Sequence, residues 1–299
     1  MYDAKARGKG DYVLFDQDMW VEAGRRLSLE RDLDAAVNEK QFLCHYQPIV
    51  DLETGRLKGT EALVRWQHPS GKLLAPADFI EIAEKSGTIH EIEDQVLSQA
   101  TSTMAGWRER FPDHRDVFIS VNVSPRQFQD PGFVERVAAT LQGSGLLPQA
   151  LVLEITEGAM MREQEHTVLV LRELRNLGVR IAIDDFGTGY SSLNYLRFLP
   201  VDMLKIDRSF VSASGRDDAI VDTIARLAAT LNIVAVAEGI EQPEPWRRLR
   251  AMGCQLGQGF LIARPARAEE AGSHFEADRE AGEVKVRRAR RGRIGSSAG

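Results

Sequence analysis

The sequence predicts a (β/α)8 TIM-type barrel, an α/β fold whose active site lies at the C-terminal ends of the strands. Three observations point there. Short β-branched runs alternate with longer amphipathic stretches, the pattern of parallel βα units. Eight such runs occupy about 230 residues, close to the roughly 250 of one barrel, and suit a barrel better than a doubly wound sheet. Most runs also carry a polar residue near the C-terminal end of one face, opposite an apolar set suited to packing under helices.

The candidate strands are 44–51, 59–66, 117–123, 150–155, 179–184, 202–207, 233–238 and 254–260. Helical candidates at 78–85, 90–110, 132–142, 163–177, 192–198, 217–231 and 243–252 separate most of them. Side chains alternate across a strand, so each face is read by counting in twos. In the second strand Glu61, Leu63 and Arg65 share a face, which sends a carboxylate and a guanidinium into one cavity. The third pairs Ser120 with Asn122 and the fourth Val152 with Glu154. In the fifth, Ala182 and Asp184 face away from Ile181 and Ile183. The sixth aligns Met203, Lys205 and Asp207, and the seventh Val234, Val236 and Glu238.

The ends of the chain read differently. Residues 1–24 have a helix-then-strand character but are too few to form a core, and look like the edge of another domain. The barrel is expected over 25–270. From Glu269 onward an Ala/Glu/Arg-rich stretch loses strand periodicity, so 271–299 is expected to be a fraying helix followed by a disordered basic tail.

With 43% hydrophobic and 27% charged residues, the 299-residue chain has an ordinary globular composition, which excludes disorder and disulfide miniproteins. No apolar run approaches the roughly 20 residues of a membrane span, and the N-terminus lacks a signal-peptide core, so a cytoplasmic location is expected. Cys44 and Cys254 form no CxxC or Cys/His pattern and read as reduced, buried small hydrophobes. The segment from Lys285 to Arg293 carries six bases and no acids; setting it aside takes the net charge from −6 to −12. An acidic body argues against a stable nucleic-acid partner and suits carboxylates gathered around a cation.

Taken singly, each strand-end residue has an ordinary explanation. A lone Glu or Asp is usually a cap or ion-pair partner, Lys205 a snorkelling surface lysine and DFGTGYSS a Gly-rich turn. Convergence changes the reading, because Glu61, Asn122, Glu154, Asp184, Asp185 and Glu238 would meet in one mouth. Carboxylates crowded in a low-dielectric cavity take up protons unless cations compensate them. Oxygen-only ligands favour Mg²⁺ or Mn²⁺ over Zn²⁺, and adjacent aspartates can serve a bridging and a terminal role. Two such ions suit attack of water on a phosphodiester.

The run Glu61-Ala62-Leu63-Val64-Arg65 resembles the signature of EAL-domain cyclic di-GMP phosphodiesterases. Further motifs follow in family order: YQPIV at 46–50, NVSPRQF at 122–128, LEITE at 153–157, DDFGTGYSSL at 184–193, KID at 205–207, AEGIE at 237–241 and QGF at 258–260. The likeness covers roughly 25–270 and is highly specific. It implies two divalent cations, Mg²⁺ or Mn²⁺, with Glu61, Asn122, Glu154 and Asp184 on one and Asp184 bridging to a second held by Asp185 and Glu238. Glu61, Lys205 and Glu238 would be catalytic, with Lys205 bonding the attacking water and Glu238 able to take its proton. Gln47, Leu63, Arg65, Asp207 and Gln258 would line the substrate. The reaction implied is opening of cyclic di-GMP to linear pGpG.

The resemblance also implies a homodimer coupled through a loop, often called loop 6, that includes Phe186, Gly187, Thr188 and Gly189, with Glu157 fixing its conformation. MYDAKARGKGDYVLF resembles the end of a GGDEF domain, which implies upstream GGDEF or sensor domains in a longer protein, one that could be membrane-anchored upstream. Departures from family pattern are peripheral: Gly158 where Ser is usual, Gln255 where Asp is frequent, and Ala266 where a proline is common. The alternative reading is a catalytically silent EAL receptor or protein-interaction module, but relatives of that kind usually lose ligands and here the set is intact.

Overall fold

Nine strands form one sheet in the order β1-β9-β8-β7-β6-β5-β4-β2-β3, and an added β1–β2 pairing closes eight of them into a ring. They are β1 (Phe42–Asp51), β2 (Leu57–Gln67), β3 (Leu73–Leu74), β4 (Phe118–Asn122), β5 (Leu151–Thr156), β6 (Arg180–Phe186), β7 (Met203–Ile206), β8 (Val234–Ala237) and β9 (Leu256–Gly257). The structure is a computed structural model that describes residues 17–160, 164–188, 196, 199–212 and 216–281. The predicted barrel is present, and the two-residue β3 is an antiparallel appendage on β2.

One strand departs from the all-parallel expectation. β1 runs antiparallel to both β2 and β9, whereas every pair from β2–β4 round to β8–β9 is parallel. The reason lies in the linker at 52–56, far shorter than the dozen or so residues a crossover needs. Asp51 Oδ1 accepts hydrogen bonds from the Glu53 and Thr54 amides at 3.0 and 2.7 Å, and Gly55 takes a left-handed φ of 71°. That Asp-to-Gly turn sends the chain back as a hairpin.

The expected strand at 254–260 is also cut short, to Leu256–Gly257. At Gly259 a side chain would lie 2.2 Å from the Ile240 backbone nitrogen, and the chain turns there, with Ile262 N donating to Gly259 O at 3.0 Å.

Two apolar layers follow from strand alternation. Inside the ring, Ile49, Phe118, Val152, Ala182, Met203, Val236 and Leu256 pack into a floor. Outside it, strand residues such as Ile119, Leu153, Ile181, Ile183 and Leu204 pack under the helices. Each large apolar side chain buried this way contributes about 1.5–3 kcal/mol. On the parallel strands the floor residues precede the polar ones by two positions (four from Phe118 to Asn122), so the polar set is left at the C-terminal mouth.

The helices are α1 (Gln17–Asn38), α2 (Pro76–Ser86), α3 (Ile89–Arg110), α4 (Phe133–Ser144), α5 (Glu157–Met160), α6 (Gln164–Asn176), α7 (Arg208–Ser212), α8 (Arg216–Leu231), α9 (Pro243–Ala251), α10 (Ala268–Ala271) and α11 (Ser273–Ala281). Helix α1 runs through the expected boundary at 24/25. Of the expected helix at 192–198 only Leu196 lies among the described residues, and the first sixteen residues and the basic segment from 282 lie outside them. Residues 273–281, expected to fray, are docked instead. Phe275 is buried and stacks on Phe111 with ring centroids 5.3 Å apart, while Asp278 pairs with His114 at 3.1 Å. Asp278 Oδ1 also accepts from the Leu57 amide at 3.2 Å, tying the helix to the floor end of β2.

Both cysteines are free and buried, and burial pushes each thiol up to about 12, as their reading as inert apolar residues requires. Among the described residues no helix is long and apolar enough to cross a membrane.

Candidate active site

The parallel register brings the strand-end residues together. Asn122 on β4 stands beside Glu154 on β5, and Glu61 on β2 stands beside Ser120 on β4. Lys205, on β7, occupies the centre with only 2% of its side chain exposed. Its Nζ lies 2.5 Å from Glu154 Oε2, 2.7 Å from Glu238 Oε1, 3.1 Å from Asp184 Oδ1 and 3.4 Å from Glu61 Oε2. The same lysine read in isolation as a surface residue is therefore, like Glu154, almost wholly enclosed in the mouth.

Four carboxylates around one ammonium leave an excess of negative charge, and the group responds accordingly. Burial alone would push Lys205 down, but Glu154, Glu238, Glu61 and Asp184 hold it well above its ordinary value. Burial, with Glu61 beside it, drives Glu154 well up. Glu238 is pushed up to about 8 by burial, Asp184 and Glu61 against the pull of Lys205. Burial also acts on Glu61, yet Lys205 and the amides of Gln258 and Asn122 keep its carboxyl below the usual range. Those amides donate to Glu61 at 2.6 Å from Gln258 Nε2 and 2.8 Å from Asn122 Nδ2.

Neighbouring aspartates on a regular strand point to opposite faces, and a distortion of β6 overcomes this. The β6/β7 register runs Ala182↔Met203 and Ile183↔Leu204, then jumps to Phe186↔Ile206. Asp184 and Asp185 both stand where β7 offers Lys205, a bulge of the kind found beside active sites. Asp185 sits at φ 53°, a left-handed conformation that aspartate tolerates better than most residues. As a result Asp184, Asp185 and Glu238 each present a carboxylate oxygen within 4.8 Å of the others. Burial and the nearness of Asp184 and Asp207 push Asp185 up to about 6.

These residues fit divalent cations. The donors are all oxygen, as hard cations prefer, and buried Asp184 Oδ1 has the Lys205 ion pair at 3.1 Å without an aligned hydrogen bond. Asn122 commits its Nδ2 to Glu61, which leaves its exposed amide oxygen for a cation.

The residues expected to line substrate lie around this cluster. Gln258 Nε2 also donates to Gln47 Oε1 at 3.0 Å, and Gln47 Nε2 donates to the Ala263 carbonyl at 3.0 Å. Both glutamines are buried, so they brace the wall next to Glu61. Leu63 and Arg65 are half-buried on β2, and Arg65 donates to its neighbour's carbonyl, Val64 O, at 2.8 Å. Asp207 follows β7 and caps α7, accepting from Ser209 N at 3.0 Å and Ser209 Oγ at 2.5 Å. Burial would raise its carboxyl, but these two donors hold it below its ordinary value.

Glu157 is buried, and its Oε2 accepts from Gly187 N at 2.9 Å; Phe186 is buried and Thr188 Oγ1 donates to Asp185 O at 2.8 Å. Gly189 lies outside the described residues. Two of the family departures are accommodated by contacts: Gln255 Oε1 accepts from Ala235 N at 2.8 Å, and Ala266 N donates to Tyr46 O at 3.1 Å, a bond no proline makes.

Glu93, which the sequence reading passed over, reaches the site's supporting backbone. It lies four residues after Ile89 and three before Val96, both buried, so its place on the inward stripe of α3 was the available signal.

Comparison with known proteins agrees with this geometry. The family model described as EAL domain matches residues 30–265. The bifunctional diguanylate cyclase/cyclic di-GMP phosphodiesterase MucR of Pseudomonas aeruginosa is 42% identical over 273 residues, covering 90% of this chain and 40% of that protein. The cyclic di-GMP phosphodiesterase NbdA of the same organism is 40% identical over 268 residues, covering 89% of this chain and 34% of the relative. The chain thus spans two fifths or less of these curated relatives. A solved structure of the PaMucR phosphodiesterase in complex with c-di-GMP superimposes with a TM-score of 0.78 at 42% identity, over 82% of this chain and 99% of that one. With the motifs, the barrel and the acidic mouth all in agreement, the chain belongs to the EAL domain family.

Proposed function

We propose that the chain is a metal-dependent phosphodiesterase that adds water across one phosphodiester bond of cyclic di-GMP to give linear pGpG. The observation that carries this reading is the mouth itself, where Lys205 faces four carboxylates while Asp184, Asp185 and Glu238 converge within 4.8 Å. The names of MucR and NbdA supply the substrate class.

Two divalent cations, Mg²⁺ or Mn²⁺, held by Glu61, Asn122, Glu154, Asp184, Asp185 and Glu238, would neutralise phosphate charge and make water acidic at the phosphodiester. Lys205 stays protonated through the neutral range because four carboxylates surround it, so its Nζ can donate to the attacking or phosphoryl oxygen. Glu238, 2.7 Å from that Nζ, would take the proton the water sheds. Arg65 would exchange its bond to Val64 O for a phosphate oxygen. Gln47 and Gln258 would hold the wall against which the nucleotide rests, and Leu63 and Asp207 would complete it.

The reading includes a homodimer in which Glu157 and the segment from Phe186 through Gly189 couple partner contact to the metal site. The bond from Gly187 N to buried Glu157, one residue beyond the bulged aspartates' neighbour Phe186, supports this part. It also includes a longer protein with a GGDEF module ahead of residue 25, supported by the greater length of the relatives and by the name of MucR.

Incubation of the purified chain with cyclic di-GMP and Mg²⁺ or Mn²⁺, with chromatographic separation of products, tests the reading. Formation of pGpG by the wild type and not by Glu61→Ala is expected. Binding of the dinucleotide without turnover would favour the silent-receptor alternative. Cleavage of unrelated phosphodiesters with no action on cyclic di-GMP would overturn the substrate assignment.

A further inference from the structure

Asn122 is held from three sides. Its Nδ2 donates to Glu61 at 2.8 Å, and the next amide, Val123 N, donates to Glu154 O at 2.9 Å. The third hold comes from outside the barrel. Glu93 Oε1 accepts from Ser124 N at 2.7 Å, and Glu93 Oε2 lies 3.0 Å from Ser124 Oγ. Ser124 is buried, and its carbonyl accepts from Gln127 N at 3.1 Å, so the carboxyl grips the residue where β4's extension becomes a turn.

We propose that Glu93 is a positioning residue for the cation ligand Asn122: by gripping both polar groups of Ser124 from helix α3, it sets the backbone from which the Asn122 amide reaches the mouth. The inference rests on the cation-dependent reading above. Surface acids on a helix do not need such an arrangement, since a solvated carboxylate has no call to meet a backbone amide and a buried hydroxyl together. Outer partners of this kind orient ligands and tune affinity without touching the metal.

The chemistry of the grip predicts which substitutions it tolerates. Burial, reinforced by Glu84 and Asp94, pushes the Glu93 carboxyl up to about 8 against the two Ser124 bonds. One oxygen accepts from the Ser124 N–H and the other accepts from the Ser124 hydroxyl. Glutamine has the same reach: its oxygen can accept the N–H while its amide donates to the same hydroxyl oxygen, a group that both donates and accepts. Aspartate keeps the acid but is one methylene short of Ser124.

The test is Mn²⁺ affinity by calorimetric titration of metal-stripped wild type, Glu93→Gln, Glu93→Asp and Glu93→Ala, with melting temperatures measured in parallel. Glu93→Gln is expected to keep wild-type affinity, while Glu93→Asp and Glu93→Ala weaken it by about ten-fold in folded protein. Should Glu93→Ala fail to fold, Ser124→Ala removes the hydroxyl leg alone and is expected to weaken Mn²⁺ in the same direction. Wild-type affinity in both Glu93→Asp and Ser124→Ala would overturn the inference. Retention by Asp with loss in Gln would also overturn it, by showing that charge rather than reach matters. A wild type that binds no Mn²⁺ overturns the cation reading itself, whereas a wild type and Glu93→Ala that bind equally overturn this inference alone.

Discussion

Replacing Lys205 with methionine removes the ammonium that faces Glu154, Glu238, Asp184 and Glu61 at 2.5, 2.7, 3.1 and 3.4 Å. Removing one partner of a buried ion pair costs about 3–5 kcal/mol, because the other charge is left uncompensated. At about 2 °C per kcal/mol for a domain of this size, Tm of the cation-free protein falls by roughly 6–10 °C. The deficit has a sign in pH. Without the lysine the remaining carboxylates repel, so protonation relieves them and the gap to wild type narrows as pH falls. Mn²⁺ narrows it as well, since the cation supplies the positive charge the variant lacks, binds its more negative site more tightly, and so stabilises it more than it does the wild type. Calorimetric melts of both proteins in chelator, at neutral and acidic pH, and then in saturating Mn²⁺ measure all three effects. An unchanged Tm in chelator, or a deficit that neither acid nor Mn²⁺ narrows, would refute the reasoning.

Asp185→Asn keeps a residue that tolerates the left-handed backbone at φ 53° and deletes one carboxylate, so titration should show Mn²⁺ affinity reduced by at least about ten-fold with Tm in chelator undiminished. Phe275→Ala empties the stack on Phe111 at the floor end and costs about 3–5 kcal/mol; melting should show the loss while Mn²⁺ affinity stays at the wild-type value. For pH, Glu238 is raised from 4.5 to about 8, so the folded state holds its proton more tightly than the unfolded chain does. Its contribution is complete below about 4.5 and is lost as pH rises through about 8. Glu61, held low, works with the opposite sign. Melts of stripped protein across that window should show the decline, and saturating Mn²⁺ should flatten the part that belongs to the mouth.

Counting in twos was enough to read the barrel's two faces. Val152 and Met203 do lie on the floor beneath Glu154 and Lys205, and Ile181 and Ile183 do face the helices. Such alternation is a local property of extended backbone and needs no tertiary information. The direction of β1 was also encoded locally, in the short Asp51-to-Gly55 turn, but the run of βα units around it masked the signal. Asp185 is a different case. Strand alternation turns it away from the mouth, and only the bulge brings it back, a distortion set by pairing with β7 rather than by nearby residues. A helix near 273 was expected, but its docking was not legible, because an Ala/Glu/Arg-rich stretch with one aromatic gives little periodic signal and Phe275 meets Phe111 and Trp107 far away in sequence. Glu93 was passed over because its partner, Ser124, is supplied by a different element.

The most direct test of the account is the rate of cyclic di-GMP hydrolysis by metal-stripped protein as Mg²⁺ or Mn²⁺ is added, with Asp184→Ala measured alongside. The account predicts no turnover in chelator, a saturable rise to pGpG production with added cation, and none at any concentration for Asp184→Ala. Turnover that persists in chelator, or that survives in Asp184→Ala, would contradict it.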